Sequence, residues 1–245
     1  VRPASRGDAE PTTRFIPPPF ALAEPEDAIV RIVGPQMACT GTLIADDLVL
    51  TAHHCVVRRG PNGEFTRALL TGDALDVELG GDYLAWGSVG VRAIVAPPCG
   101  EAGGGGDVAV LVLERKLVGL ATMRPRLDKP PKIGEALEPV GFGRCAMSPD
   151  AIRRKPRSGG NVRALSGDTL ALEASICPGD SGGPLLAKGG HDVVGVISLS
   201  AIDGDDRTRE LSIAARLDAF RLVFAHARAI ADGTSPSDLP PLDCN

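Results

Sequence analysis

The chain has 245 residues, 43% hydrophobic but only 3% aromatic, so aliphatic side chains must fill its cores. Its formal net charge of −5 gives no basic footprint, which argues against nucleic acid as a partner. No apolar run approaches the roughly 18 residues that cross a bilayer and no signal peptide is present, while a start at Val1 leads us to expect that a leader or propeptide has been removed.

In chain order, residues 1–27 are proline-rich, with Pro17-Pro18-Pro19, and read as an extended arm without a core of its own. From Ala28 onward, short valine- and leucine-rich runs alternate with glycine and aspartate turns, the pattern of an antiparallel barrel. A first barrel is placed at 28–118, followed by a linker at 119–131 that contains Pro125, Pro130 and Pro131. A second barrel is placed at 132–215, interrupted by Arg153-Arg154-Lys155-Pro156-Arg157, which reads as an exposed loop. Residues 216–245 read as a helix and tail, with Leu217, Phe220, Val223, Phe224, Ala227 and Ile230 on one helical face.

Within the second barrel, residues 177–186 read Cys-Pro-Gly-Asp-Ser-Gly-Gly-Pro-Leu-Leu. A serine is a poor nucleophile at neutral pH and needs a base within reach, together with donors aimed at the oxyanion that forms on attack. Gly179, Gly182 and Gly183 permit a tight turn that points the amides of Gly179 and Ser181 at one spot. Taken alone, the string is also compatible with an ordinary glycine-rich loop. Two upstream segments add to it: Cys39-Thr40-Gly41-Thr42-Leu43-Ile44-Ala45 followed by Leu48 to Cys55, and Gly103 to Gly106 leading into Asp107-Val108-Ala109-Val110-Leu111-Val112-Leu113. An imidazole can take the serine proton and return it to a leaving amine, and a buried carboxylate can hold the imidazole in the right tautomer. Among four histidines, His191 and His226 read as solvated, and His53 faces away from any role shared with His54.

On these residues the chain resembles the chymotrypsin-fold, trypsin-like serine peptidases, and its Cys-Thr-Gly-Thr-Leu-Ile stretch resembles the bacterial glutamyl endopeptidases. The resemblance implies an all-β fold of two antiparallel six-stranded β-barrels with a C-terminal α-helix. It implies His54 as base, Asp107 as orienting carboxylate, Ser181 as nucleophile, and the amides of Gly179 and Ser181 as the oxyanion hole. The chain is then expected to be a secreted monomeric serine endopeptidase acting on polypeptide substrates through an acyl-enzyme. No cofactor, metal or membrane is expected, and a proteinaceous inhibitor or an activating protease is a further partner. Asp73, Asp76, Glu78 and Asp82 fall where relatives carry a calcium loop and read here as a solvated acidic loop. A zymogen-like or noncatalytic binding protein on the same fold is the second reading.

Six cysteines allow many pairings, and the sequence does not choose among them. The resemblance implies Cys39–Cys55, then Cys145–Cys177, and leaves Cys99–Cys244; free thiols in a cytosolic protein are the alternative. The same family pairs a new N-terminal ammonium with the aspartate before the serine, here Asp180. Arg31-Ile32-Val33-Gly34 imitates such a cleavage site but lies too close to Cys39, so Val1 is the expected partner of Asp180 or a neighbour of the substrate pocket. The family's pocket base corresponds to Ser175. Ser198, Leu199 and Ser200 fall on the segment that pairs with substrate, and Ser198 is placed to support Asp107. Serine at position 175, and Ile197 where glutamyl enzymes carry histidine, point to an apolar or small side chain at the cleavage position. A basic preference stays open through Glu210 or Asp203, Asp205 and Asp206.

Overall fold

The computed structural model describes residues 24–81, 84–145, 152–200 and 210–243, with the side chains of Ser200 and Glu210 outside that description. The first half contains, in chain order, β1 (Ile29–Gly34), β2 (Met37–Ala45), β3 (Leu48–Thr51), the short hairpin of β4 (Val57–Arg59) and β5 (Phe65–Leu69), β6 (Asp76–Leu79), β7 (Gly87–Val95) and β8 (Ala109–Leu113). All but the hairpin close into an antiparallel barrel in the order β1-β2-β3-β8-β7-β6. The β8 run carries no polar residue and is buried at every position, as a strand covered on both faces must be. Arg31 to Gly34 lie inside β1, hydrogen-bonded between β2 and β6, so this stretch is built into the barrel wall.

The second half contains β9 (Arg124–Pro125), β10 (Leu137–Gly141), β11 (Lys155–Pro156), β12 (Val162–Ser166), β13 (Thr169–Ala174), β14 (Pro184–Ala187), β15 (Asp192–Ser200) and β16 (Glu210–Arg216). These strands form an eight-stranded sheet in the order β11-β10-β14-β15-β16-β13-β12, with β9 running parallel to β15. The sheet does not close as a second six-stranded barrel, which corrects that expectation. Among the described residues, the segments of β10 and β12 meet through one isolated bridge, Ala136 to Asn161, and a few backbone bonds without a continuous ladder: the Leu137 N–H on Gly160 O at 3.1 Å, the Val162 N–H on Glu135 O at 2.9 Å and the Gly134 N–H on Val162 O at 2.8 Å. Pro139 has no N–H with which to extend a ladder, and Gly159 and Gly160 pass too close to backbone carbonyls to carry side chains.

The basic stretch is also corrected: Lys155 and Pro156 form β11, Arg157 is buried, and Arg154 reaches inward to Asp27 at 3.0 Å. Downstream, α1 (Arg221–Ala231) packs on β8, β7 and β3 through Val223, Phe224, Ala227 and Ile230. Leu217 is buried in the 3-10 turn that precedes it, Leu217–Ala219. His226, expected in solvent, is buried, because it stands three residues after Val223 and four before Ile230 on the packed side. Of the residues expected to form the N-terminal arm, 1–23 lie outside the described residues, and Pro25–Ala28 form a 3-10 turn. Among the described residues, no helix is long and apolar enough to cross a membrane.

Candidate active site

β3 delivers the chain to a 3-10 turn, His53–Val56, that carries His54, and the Cys39–Cys55 disulfide ties this turn to β2. Asp107 sits just before β8, which pairs with β3, so the barrel register alone brings the two residues together. The His54 amide donates to Asp107 Oδ1 at 2.9 Å, and His54 Nδ1 lies 2.8 Å from Oδ2. An ionised carboxylate only accepts, so Nδ1 carries the proton and Nε2 of the neutral ring keeps its lone pair. Ser198 Oγ also donates to Asp107 Oδ2 and accepts the Gly103 N–H at 2.7 Å. Asp107 is 0% exposed. Burial pushes its pKa up, but the hydrogen bonds and charge of His54 and the Ser198 hydroxyl outweigh this and hold it below the usual carboxylate value.

Ser181 occupies a turn before β14. Gly179 there has φ +100°, a left-handed conformation that a side chain would strain. The Pro178 carbonyl accepts the Arg144 N–H at 2.9 Å, and the Asp180 carbonyl accepts the Gly183 N–H at 2.9 Å. Because a trans peptide points its N–H opposite its carbonyl, these bonds turn the amides of Gly179 and Ser181 away from Arg144 and Gly183. Gly179, Ser181 and His54 line one cavity of about 720 Å³ together with Phe142, Ile176, Ser198 and Leu199. No hydrogen bond joins Ser181 Oγ to His54 among the described residues; such contacts commonly tighten only when substrate is bound.

Thr40, on β2, stitches the two halves beneath this turn. Its amide donates to Ser181 O at 2.8 Å, its hydroxyl donates to Gly179 O at 2.7 Å, and that same hydroxyl accepts the Phe142 N–H at 3.0 Å. Asp180, 0% exposed, meets Arg157: Nε lies 2.8 Å from Oδ2, and Nη2 donates to Oδ1 at 3.0 Å. Burial pushes the Asp180 carboxyl up, against the charge and hydrogen bonds of Arg157 and the amides of Cys177 and Gly143. Neither Thr40 nor Arg157 stood out in the sequence as part of the site. The available signal was that a buried Asp180 needs a counter-charge and that a basic run stands in the same half of the chain.

Other expected residues are placed differently. Ser175 is buried and its Oγ accepts the Ser158 N–H at 3.2 Å; the cavity is lined by its neighbour Ile176 instead, since side chains alternate along an extended segment. Leu199 is half-exposed on the cavity wall, and the Ser200 side chain, Val1, Asp203, Asp205 and Asp206 lie outside the described residues. Cys145 and Cys177 form a disulfide that clamps the loop after β10 to the serine turn. The third expected pair, Cys99 with Cys244, falls at Cys244 outside the described residues. Glu78 of the acidic segment pairs with Arg31, and Asp82 is outside the described residues. Among the described residues, the grouping with metal-ligand geometry is Cys39, His54 and Cys55, whose two sulfurs are committed to a disulfide and so offer no thiolate.

A closed six-stranded barrel joined to a second antiparallel sheet, with a buried His–Asp pair and a glycine-flanked serine opening on one cavity, defines a chymotrypsin-fold serine peptidase. Residues 23–223 match the Trypsin family model, and the chain belongs to that family of hydrolases. It is 28% identical over 220 residues to human chymotrypsin-like elastase family member 3B, an alignment covering 74% of this chain and 75% of that protein. Its fold is similar to that of neuropsin, a serine protease expressed in the limbic system of mouse brain, with TM-score 0.65, 15% identity, and 83% of this chain and 95% of the other covered. It is likewise similar to a Glu endopeptidase solved in complex with MPD, with TM-score 0.62, 21% identity, and coverage of 84% and 93%.

Proposed function

We propose that the chain is a secreted serine endopeptidase in which Ser181, His54 and Asp107 act as nucleophile, base and orienting carboxylate. The observation that carries this reading is the buried two-point contact of His54 with Asp107, facing the same cavity as Ser181 and Gly179. Ser181 Oγ attacks the scissile carbonyl carbon while its proton passes to His54 Nε2. The carbonyl oxygen takes the negative charge and is received by the amides of Gly179 and Ser181. Collapse breaks the C–N bond, the amine leaves with the proton from His54, and water repeats the sequence on the acyl-enzyme.

Ile176, Phe142 and Leu199 in the cavity wall favour an apolar or small side chain at the cleavage position. The disulfides favour an oxidising compartment outside the cytosol. A fluorophosphonate probe tests the reading: it is expected to label Ser181 in the wild type and to leave Ser181→Ala unlabelled, with the modified peptide identified by mass. Folded wild-type protein that takes no label points instead to a zymogen-like or noncatalytic binding protein. Peptide-library cleavage then reads the preferred residue, and preference for a basic residue would overturn the apolar assignment.

A further inference from the structure

A carboxylate removed from water must be met by counter-charge and hydrogen bonds, and losing its partner is strongly unfavourable. Asp180 has both oxygens engaged. Oδ1 accepts the Gly143 N–H at 2.7 Å and Arg157 Nη2 at 3.0 Å, while Oδ2 accepts the Cys177 N–H at 2.9 Å and lies 2.8 Å from Arg157 Nε. Three N–H groups donate to the carboxylate and Arg157 Nε stands beside it as a close charge contact, which leaves little of its roughly four lone-pair sites unclaimed. Arg157 is itself dry, with its side chain 3% exposed, and is anchored twice more: its Nη2 donates to Gly143 O and its amide donates to Pro139 O at 2.7 Å.

The pair is also tightly enclosed. A Cβ on Gly141 or on Gly143 would collide with the Asp180 carboxyl, so these two glycines exist here for close approach. Asp180 is the residue between Gly179 and Ser181, which line the cavity that holds His54. The peptide carrying the Ser181 N–H adjoins Asp180 and the one carrying the Gly179 N–H is one residue removed, so anchoring the Asp180 side chain restrains the short turn that presents both.

We infer that Arg157 is the positioning residue that holds the oxyanion hole in its working shape, and that the N-terminal amine takes no part in building it. The inference rests on the peptidase reading above. Its consequence is a site assembled wholly from within the fold, with no free N-terminus required for activity.

The test uses the full chain and follows fluorophosphonate labelling, kcat and KM on a chromogenic peptide, and thermal unfolding. Acetylating the N-terminal amine, or extending it by a short Gly-Ser segment, is expected to change kcat less than about twofold. Arg157→Met is expected to lower kcat by about 10²- to 10³-fold, the loss typical of one oxyanion donor, with KM little changed because the hole acts on the transition state. Arg157→Lys should restore part of kcat. Should Arg157→Met not fold, the double variant Arg157→Met/Asp180→Asn, which removes both buried charges, should fold and remain slow. Loss of activity on acetylation or extension, or wild-type kcat in either Met variant, overturns the inference while leaving the peptidase reading intact. Folded wild type that takes no label at Ser181 overturns both.

Discussion

His53 and His54 are adjacent histidines with opposite fates. His54 donates its Nδ1 proton to Asp107, whereas His53 is 1% exposed and, among the described residues, neither of its ring nitrogens has a hydrogen-bond partner. It packs against Gly100, where a side chain would strike the ring. Burial lowers the His53 pKa, opposed by the charge of Asp107 and assisted by that of His54. The unfolded chain therefore binds the proton near pH 6.5 while the folded chain still refuses it, so stability falls as pH drops below about 6.5 and recovers above it. Urea unfolding from pH 7 to 5 should show this slope in the wild type and a flatter one in His53→Ala. At Asp107, exchange for Asn keeps the shape but lets the imidazole adopt the wrong tautomer; kcat should fall by about 10³- to 10⁴-fold, read with a peptide substrate. The proposed roles of His54, Asp107 and Ser181 come from the sequence because each residue stands in a short motif whose chemistry is local. In the sequence His53 stands as an idle neighbour of His54, and its burial depends on the Gly100 loop, which no local pattern announces.

At the level of elements, α1 is held to the barrel by more than its apolar face. Arg228 forks onto Asp47 at 2.8 and 2.9 Å, and Arg92 donates to the Ile230 carbonyl near the helix end at 3.2 Å. The Arg228 hydrogen bonds outweigh burial and hold the Asp47 pKa below its usual value. A carboxyl so depressed contributes stability above the ordinary value of about 3.9 and loses that contribution as pH falls through its lower folded value. Arg228 is 38% exposed, so water screens the pair. Arg228→Ala should then cost about 1 kcal/mol or less at pH 7, with the deficit against wild type vanishing in acid, measured by denaturant unfolding at both pH values. The helix itself was legible from its periodicity. β11 was not, because Arg153-Arg154-Lys155-Pro156-Arg157 has the composition of a solvated loop, and it is distant groups, the carboxylates of Asp27 and Asp180 among them, that draw Arg154 and Arg157 inward.

Across the whole molecule, the candidate active site lies on a seam, and Thr40 is a stitch in it. From the first barrel it binds Ser181, Gly179 and Phe142 of the second half. Three further threads cross the seam at or near Asp107: the Ser198 hydroxyl on Asp107 Oδ2, the Gly103 N–H on Ser198 Oγ at 2.7 Å and the Gly106 N–H on Asp168 Oδ2 at 2.7 Å. Thr40→Val keeps the shape of the side chain but leaves Phe142 N–H and Gly179 O without their partner. Each buried group left unpaired costs about 1 to 3 kcal/mol. Denaturant unfolding should show a loss of at least that size and kcat should fall with it, whereas Thr40→Ser should retain most of both.

Fold class, the three residues of the proposed triad and the helix face are all readable along the chain, because periodicity and glycine-framed motifs act over a few residues. The partner of Asp180, the burial of His53 and His226, the incomplete closure of the second sheet and the stitching by Thr40 are not readable that way. Each depends on which distant groups meet in a space without water, where an unpaired charge or amide is costly, and that is settled by packing the two halves together.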